Sequence, residues 1–179
     1  MLADDIKKIL VSQQEIIAKS KEIGKQISND YASTVPIIIG LLKGSVPFMA
    51  ELIKYIEIDC ELEFMDVSSY SGTESMGDVR IIKDLDRSIV DRDVIVVEDI
   101  VDTGKTLEKV KELLYSKGAA TVKVASLLDK PSRRIVDIEA DYVGFVVPDE
   151  FVIGFGLDFN QKYRNLPYVG VLKEELYKE

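Results

Sequence analysis

The chain has 179 residues, 46% of them apolar and 31% charged, which is the composition of one folded domain rather than of a disordered segment. A net charge of −9 argues against nucleic-acid binding, and without any histidine, acid–base chemistry must fall to carboxylates, lysines or tyrosines. The sequence has no apolar run long enough to span a membrane, its acidic start is unlike a signal peptide, and Cys60 is its single cysteine. We therefore expect a cytoplasmic protein that does not associate with membranes, and we expect residues 1–179 to form a single domain.

The first half of the chain predicts a long helix followed by short strands. Apolar residues recur with a helical period between Ile6 and Ile27, which predicts a helix from Asp4 to about Asn29. Ser68 to Asp78 is polar and contains two glycines, which predicts a long mobile loop. Around these segments we expect strands at residues 35–42, 62–67 and 79–82, and a helix at 48–56 that Pro47 helps to start.

The second half alternates strands with a helix. Asp93 to Glu98 is an apolar run typical of a strand buried on both faces of a parallel sheet. A helix is predicted from Lys105 to Lys117, closed by Gly118, with further strands at residues 122–128, 142–147 and 168–172. This order predicts an α/β protein with a mostly parallel, twisted sheet flanked by helices. Such sheets bind ligands at the carboxyl ends of their strands, directly after Leu42, Val97 and Leu128.

The richest of these strand ends is the segment from Glu98 to Thr106, Glu-Asp-Ile-Val-Asp-Thr-Gly-Lys-Thr. Three carboxylates precede a glycine turn with two hydroxyls, and a helix follows, so the backbone N–H groups at its start could bind a phosphate. It is not a P-loop, because Asp99 stands where that motif requires glycine. Gly-Lys-Thr alone could be a plain helix cap, but three clustered carboxylates favour a functional site.

Residues Val96 to Thr106 resemble the phosphoribosyl-pyrophosphate motif of type I phosphoribosyltransferases, most closely of the hypoxanthine–guanine branch. Further segments agree in order and spacing, at residues 41–48, 68–70, 126–130, 146–158 and 164–168. The resemblance implies the type I fold with a small base-binding hood. It also implies purine salvage: transfer of the 5-phosphoribosyl group from phosphoribosyl pyrophosphate to hypoxanthine or guanine, giving IMP or GMP and pyrophosphate.

The resemblance assigns roles on the phosphoribosyl side of the site. Asp102 is implied as the catalytic base that accepts the proton of purine N7. The groups implied to bind the phosphoribosyl moiety and its 5′-phosphate are Glu98, Asp99, Thr103, Gly104, Lys105 and Thr106, and those for pyrophosphate are Lys43, Gly44 and Arg164. In the family the peptide between the positions of Leu42 and Lys43 can be cis, and Ser69 and Tyr70 are expected on a lid loop.

On the purine side, the resemblance implies that Lys130 donates to the 6-oxygen of the base and Phe151 stacks on the ring. The carbonyl of Val152 would receive the 2-amino group of guanine, and Asp158 would lie beside them. Mg²⁺ is the implied cofactor, with Glu98 and Asp99 as its ligands, and Asp158 would bind a second ion on the pyrophosphate side. Taken alone, Phe151 could equally be a core residue.

The implied partners are phosphoribosyl pyrophosphate, hypoxanthine, guanine and further copies of the chain in a homodimer or homotetramer. Two alternatives remain open. One is a regulatory protein of the same fold that binds RNA or DNA, which the net charge of −9 disfavours. The other is a transferase that prefers adenine or xanthine. Lys130 argues against adenine, because a 6-amino group offers no acceptor to an ammonium, while xanthine stays possible.

Overall fold

The computed structural model describes residues 2–69 and 79–178 of the chain. Their strands and helices, in order, are β1 (Ile6–Val11), α1 (Gln13–Asp30), β2 (Ile37–Leu41), α2 (Val46–Leu52), β3 (Glu61–Ser69), β4 (Val79–Lys83), β5 (Asp93–Val101), α3 (Lys105–Ser116), β6 (Thr121–Asp129), β7 (Tyr142–Val146), β8 (Val152–Ile153) and β9 (Val169–Leu172). Short 3₁₀ turns occupy Leu2–Asp5, Ile53–Tyr55, Pro131–Arg133 and Glu174–Leu176. No helix among the described residues is long and apolar enough to cross a membrane.

The central sheet has six strands in the order β4-β3-β2-β5-β6-β7, parallel except for the antiparallel edge strand β4. Alternate residues of its inner strands enter separate cores. In β5, Ile95 and Val97 pack with α1 and α2, whereas Val94 and Val96 pack with α3. This two-residue alternation requires apolar groups on both faces, which explains the continuous apolar run in the sequence. The predicted α/β architecture is confirmed.

A second, antiparallel sheet of three strands, in the order β1-β9-β8, forms the hood. It contradicts the helix predicted from Asp4, because residues 6–11 form β1, which pairs with β9 from Ile6↔Leu172 to Val11↔Val169. The helix starts later, where Ser12 and Glu15 form a capping box. Short apolar runs suit a strand or a helix, and here pairing with a distant strand decides between them.

The remaining elements agree with the sequence predictions, apart from a few bounds. Strand β5 extends to Val101, so Glu98 and Asp99 lie within the strand rather than after it. The α-helix predicted at residues 48–56 ends at Leu52 and continues as a 3₁₀ turn. Ser68 and Ser69 belong to β3 rather than to the predicted loop. The rest of that loop, including Tyr70, lies outside the described residues.

Candidate active site

The turn between β5 and α3, residues 102–104, forms one wall of a cavity of about 250 Å³, called here the turn cavity. Gly104 has φ 84°, and a Cβ there would collide with the Ile138 side chain, so both backbone and space require glycine. The first N–H groups of α3 have no acceptor within the helix and lie beside this cavity, which Thr103, Gly104 and Thr106 line. The turn can therefore bind an anion through its backbone.

Glu98 and Asp99 line the same cavity from the end of β5. Burial raises the pKa of Glu98 well above its usual value, and the neighbouring Asp99 charge raises it further. Burial also raises the pKa of Asp99 from 3.8 to about 6, opposed by the Ile100 N–H, which donates to Asp99 Oδ1 at 2.7 Å, and by the charge of Arg164. Two buried carboxylates side by side stabilise a bound cation or hydroxyl groups.

The loop after β2 brings backbone against these carboxylates. The peptide between Leu42 and Lys43 is cis, as the resemblance implied, and Lys43 is exposed. Gly44 is buried, and a Cβ there would collide with Asp99 Oδ2. Gly156, at φ 103°, packs against the Gly44 carbonyl in the same way. The close packing leaves room only for glycine at both positions.

Arg164 and Asp158 form an ion pair beside this loop, with Arg164 Nη2 2.9 Å from Asp158 Oδ1. Arg164 Nη1 donates to the Gly156 carbonyl at 2.6 Å, and Asp158 Oδ2 accepts from the Gln161 N–H at 2.8 Å. The Asp158 charge raises the pKa of Asp99, so the pair acts electrostatically on the turn cavity. The resemblance also placed Asp158 beside the purine, but Asp158 is not among the described residues that line the cavity on that side, which is described next.

A second cavity of about 540 Å³, called here the hood cavity, lies between the central sheet and the hood. Lys130, Phe151 and Val152, all assigned to the purine by resemblance, line it together. Lys130 is only 7% exposed, and its Nζ donates to the Glu150 carbonyl at 2.9 Å. An ammonium has three N–H donors, so two remain for the Asp149 carboxylate, whose Oδ1 lies 3.9 Å away, and for an acceptor in the cavity.

Phe151 is 37% exposed and is held by two other rings. Tyr177 stacks on it with centroids 4.7 Å apart, and Phe159 meets its edge at 5.6 Å. Val152 lies next to it in β8, paired with Val171. A held but exposed ring is suited to stacking on a planar ligand.

Asp102 and Ile100 line both cavities and so mark where the two meet. Asp102 Oδ1 is buried and accepts no hydrogen bond from the described residues, although Arg133 Nε lies 3.3 Å away. The side chain as a whole is 42% exposed, so the rest of the carboxylate is open to a ligand. The Asp102 carboxylate is therefore placed to exchange a proton with a ligand that extends from one cavity into the other.

Sequence reasoning missed several residues of the hood cavity, namely Lys7, Ile100, Arg133, Glu174, Tyr177 and Lys178. Ile100 lies inside the recognised segment from Glu98 to Thr106, and Arg133 lies three residues after the segment that ends at Lys130, so both could have been found there. Lys7 and Tyr177 gave no local signal, because the pairing of β1 with β9 brings the two ends of the chain to the cavity. Of the lid residues, Ser69 ends β3, and Tyr70 lies outside the described residues.

The described residues contain no group of three or more acidic, histidine or cysteine side chains that could hold a metal ion. A cation in the turn cavity would therefore take only one or two carboxylates from the protein. Mg²⁺ is commonly bound in that way, with its other ligands from water and substrate phosphates. Glu98 and Asp99 fit this arrangement.

Comparison with known proteins identifies the family. The model of the phosphoribosyl transferase domain matches residues 7–160. A hypoxanthine-guanine phosphoribosyltransferase of Streptococcus thermophilus is 57% identical over 180 residues, which cover 100% of both chains. A crystal structure of a hypoxanthine phosphoribosyltransferase from Staphylococcus aureus is 49% identical, with a TM-score of 0.96 over 99% of this chain and 97% of the other. A hypoxanthine-guanine phosphoribosyltransferase from Bacillus anthracis, with a HEPES molecule in its active site, is 43% identical, with a TM-score of 0.90 over 94% and 99%. The chain belongs to the phosphoribosyltransferase family.

Proposed function

We propose that the protein is a purine salvage enzyme that transfers the 5-phosphoribosyl group from phosphoribosyl pyrophosphate to hypoxanthine or guanine. The products are IMP or GMP and pyrophosphate. The observation that carries this proposal is the meeting of the turn cavity and the hood cavity at Asp102. One cavity offers an anion site and the other a ring-stacking site, which matches a reaction that joins a phosphorylated sugar to a planar base.

On the sugar side, we propose that the backbone N–H groups of residues 103–106, with the Thr103 and Thr106 hydroxyls, bind the 5′-phosphate. Thr103, Gly104 and Thr106 line the cavity at the start of α3, where the helix dipole also favours an anion. Glu98 and Asp99 would accept hydrogen bonds from the ribose 2′- and 3′-hydroxyls. The exposed Lys105 would add positive charge at the same end of the helix.

Mg²⁺ is the proposed cofactor, held by Glu98 and Asp99, with Asp158 available to a second ion on the pyrophosphate side. The fit rests on the buried carboxylates, because the pKa of each is raised by burial and a cation would stabilise the charged forms. When bound, the ion would supply positive charge to the departing pyrophosphate. Lys43, Gly44 and Arg164 would bind the pyrophosphate itself, and the planar donor fork of arginine suits such an anion.

On the base side, Lys130 would donate to the 6-oxygen, Phe151 would stack on the ring and the Val152 carbonyl would receive the 2-amino group of guanine. The support is geometric, since all three residues line the hood cavity. Lys130 is 7% exposed and its Nζ already donates to the Glu150 carbonyl, so a 6-oxygen would accept a further hydrogen bond, whereas an adenine amino group would place another donor against a buried charge. This predicts use of 6-oxopurines, a class that also includes xanthine.

Asp102 would accept the proton of purine N7 as the bond to the ribose forms. It lines both cavities, and a chain without histidine needs a carboxylate for this step. Most of the rate should come from holding base and sugar in line and from stabilising the charges that develop. We further propose that the protein works in the cytoplasm as a homodimer or homotetramer, without nucleic acid.

The test is a transferase assay with hypoxanthine, guanine, xanthine and adenine, each with phosphoribosyl pyrophosphate and Mg²⁺. We expect IMP and GMP with equimolar pyrophosphate, little AMP, and loss of activity when EDTA removes the metal. Absence of transfer to every base, or adenine as the best acceptor, would refute the proposed function.

A further inference from the structure

Arg134 is a largely buried arginine, with its side chain 14% exposed, and it lies behind the turn cavity rather than in it. Its Nε donates to the Asp102 carbonyl at 3.1 Å, and its Nη2 lies 3.5 Å from the Val101 carbonyl. The same guanidinium also contacts the Ile138 carbonyl and the Asp129 carboxylate. One side chain therefore connects the ends of β5 and β6 to residue 138.

The segment that carries Arg134 also packs on the β5–α3 turn. The Ile135 N–H donates to the Thr103 carbonyl at 3.0 Å. The side chains of Arg134 and Ile138 lie so close to Gly104 that a Cβ there would meet both. Together these contacts hold the carbonyl groups of residues 101–103, a stretch that lines the turn cavity.

We propose that Arg134 is a positioning residue, which fixes the backbone of Val101 and Asp102 so that the Asp102 carboxylate and the N–H groups of the turn meet the substrate in register. This inference rests on the proposed function for its substrate and on the structure for its geometry. Arginine is required because its planar fork reaches four acceptors in different directions. A lysine ammonium at the same place could reach only some of them.

Loss of Arg134 should affect substrate binding as well as the stability of the fold. Displacing a binding group by about 1 Å can cost on the order of 100-fold in activity. Loss of the Arg134 contacts should therefore weaken phosphate binding at the turn and lower turnover through Asp102. The site of the purine ring, formed by Lys130 and Phe151, should change little.

The experiment compares Arg134→Lys with wild type in two readouts. In the assay, we expect the KM for phosphoribosyl pyrophosphate to rise roughly tenfold or more and kcat to fall, while the KM for hypoxanthine changes less than about threefold. In NMR titrations with inorganic phosphate alone, the Gly104 and Thr106 amides should shift in wild type and require roughly tenfold more phosphate in the variant. The second readout does not depend on any transferase activity, so it separates this proposal from the proposed function.

Arg92→Lys is the matched control, because Arg92 also holds a backbone carbonyl and a carboxylate, those of Val35 and Glu61, but near the opposite end of β5. It should leave both readouts unchanged. If Arg134→Lys does not fold, Asp129→Asn removes the negative charge of one partner of Arg134 and should shift both readouts in the same direction by a smaller factor. The proposal would be overturned if the variant that folds titrates with phosphate as wild type does and keeps the wild-type KM for phosphoribosyl pyrophosphate. It would also be overturned if Arg92→Lys changes both readouts as much as Arg134→Lys.

Discussion

The turn cavity and the hood cavity adjoin each other but are built in different ways. Most of the turn cavity comes from one continuous stretch, residues 98–107, where a buried strand runs into a helix. The hood cavity combines residues as distant in sequence as Lys7, Lys130, Phe151 and Tyr177. A site made by one local segment can be recognised from its residues. In a site assembled by tertiary pairing, only the residues of segments that resemble a known family, such as Lys130 and Phe151, are found before the fold is known.

The two cavities also differ in how they hold charge. The turn cavity contains buried carboxylates whose pKa values burial raises, so it is destabilised until a ligand arrives. In the hood cavity the buried charge of Lys130 is already satisfied in part by the Glu150 carbonyl. We therefore expect substitutions at the turn to change both turnover and stability, and substitutions in the hood to change the choice and affinity of the base.

The largest effect should come from Asp102, where the two cavities meet. Asp102→Asn keeps the shape but removes a proton acceptor, so kcat should fall by roughly 10²–10⁴ with little change in the affinity for phosphoribosyl pyrophosphate. Single-turnover kinetics and a binding titration measure the two quantities. Asp86→Asn, at an exposed ion pair with Lys83, should have no effect. Near-normal turnover in Asp102→Asn would exclude this residue as the base.

The next effect concerns Lys130 and the choice of base. Lys130→Gln replaces an ammonium with an amide that can present either an oxygen or an NH₂ group. The ratio of kcat/KM for hypoxanthine to that for adenine should therefore fall by roughly tenfold to a few hundredfold. Lys123→Gln is the matched control, because Lys123 lies on β6, the strand that Lys130 directly follows, but over the rings of Tyr31 and Tyr142. An unchanged ratio would show that another group reads the 6-position.

Because burial raises the pKa of Asp99 in the turn cavity, we expect Asp99→Asn to stabilise the unliganded protein in a pH-dependent way. Because folding raises the Asp99 pKa from 3.8 to about 6, the folded state binds its proton more tightly than the unfolded chain. The cost of the charge is absent below pH 3.8, grows through pH 4–6 and is complete above it. The variant should thus be more stable by on the order of 2 kcal/mol at pH 8, with the gain disappearing toward pH 4.

Urea denaturation of wild type and Asp99→Asn across this pH range measures the difference. The exposed Asp137→Asn provides the control, and it should change stability little at any pH. A gain that is constant with pH would mean that Asp99 is not held at a raised pKa. Asp99→Asn should also lose activity, because it removes a proposed ligand of Mg²⁺ and the ribose.

The smallest effect should come from Tyr177, which lines the hood cavity but is not among the residues that line the turn cavity. Tyr177→Leu removes the ring that stacks on Phe151. Such a pair contributes about 0.5–1.5 kcal/mol, so the KM for hypoxanthine should rise by roughly two- to tenfold with kcat unchanged. Tyr177→Phe keeps the ring and should behave like wild type. A larger change in the KM for phosphoribosyl pyrophosphate than for hypoxanthine would contradict the division between the cavities.

How well each part of the molecule could be predicted from the sequence follows the difference between the two cavities. The β5–α3 segment was predictable because strand, turn and anion site depend on neighbours within ten residues, and Gly104 and Gly118 mark its turns. The first residues were wrongly predicted as helix because the spacing of Ile6, Ile9 and Leu10 fits that period, although the Ser12–Glu15 capping box already marked a later start. Arg134 could not be recognised, since its four acceptors are brought together only by the folded chain.

The pairing of β1 with β9 joins residues that leave the ribosome far apart in time. Ile6 pairs with Leu172, so about 160 residues must be synthesised in between. At bacterial or eukaryotic rates of about 5–20 residues per second, β1 would wait roughly ten to thirty seconds for its partner. The parallel strands up to β6 are complete earlier and can begin to assemble during that interval. The three-stranded sheet of the hood would therefore be completed only once β9 has been made, after the strands up to β6.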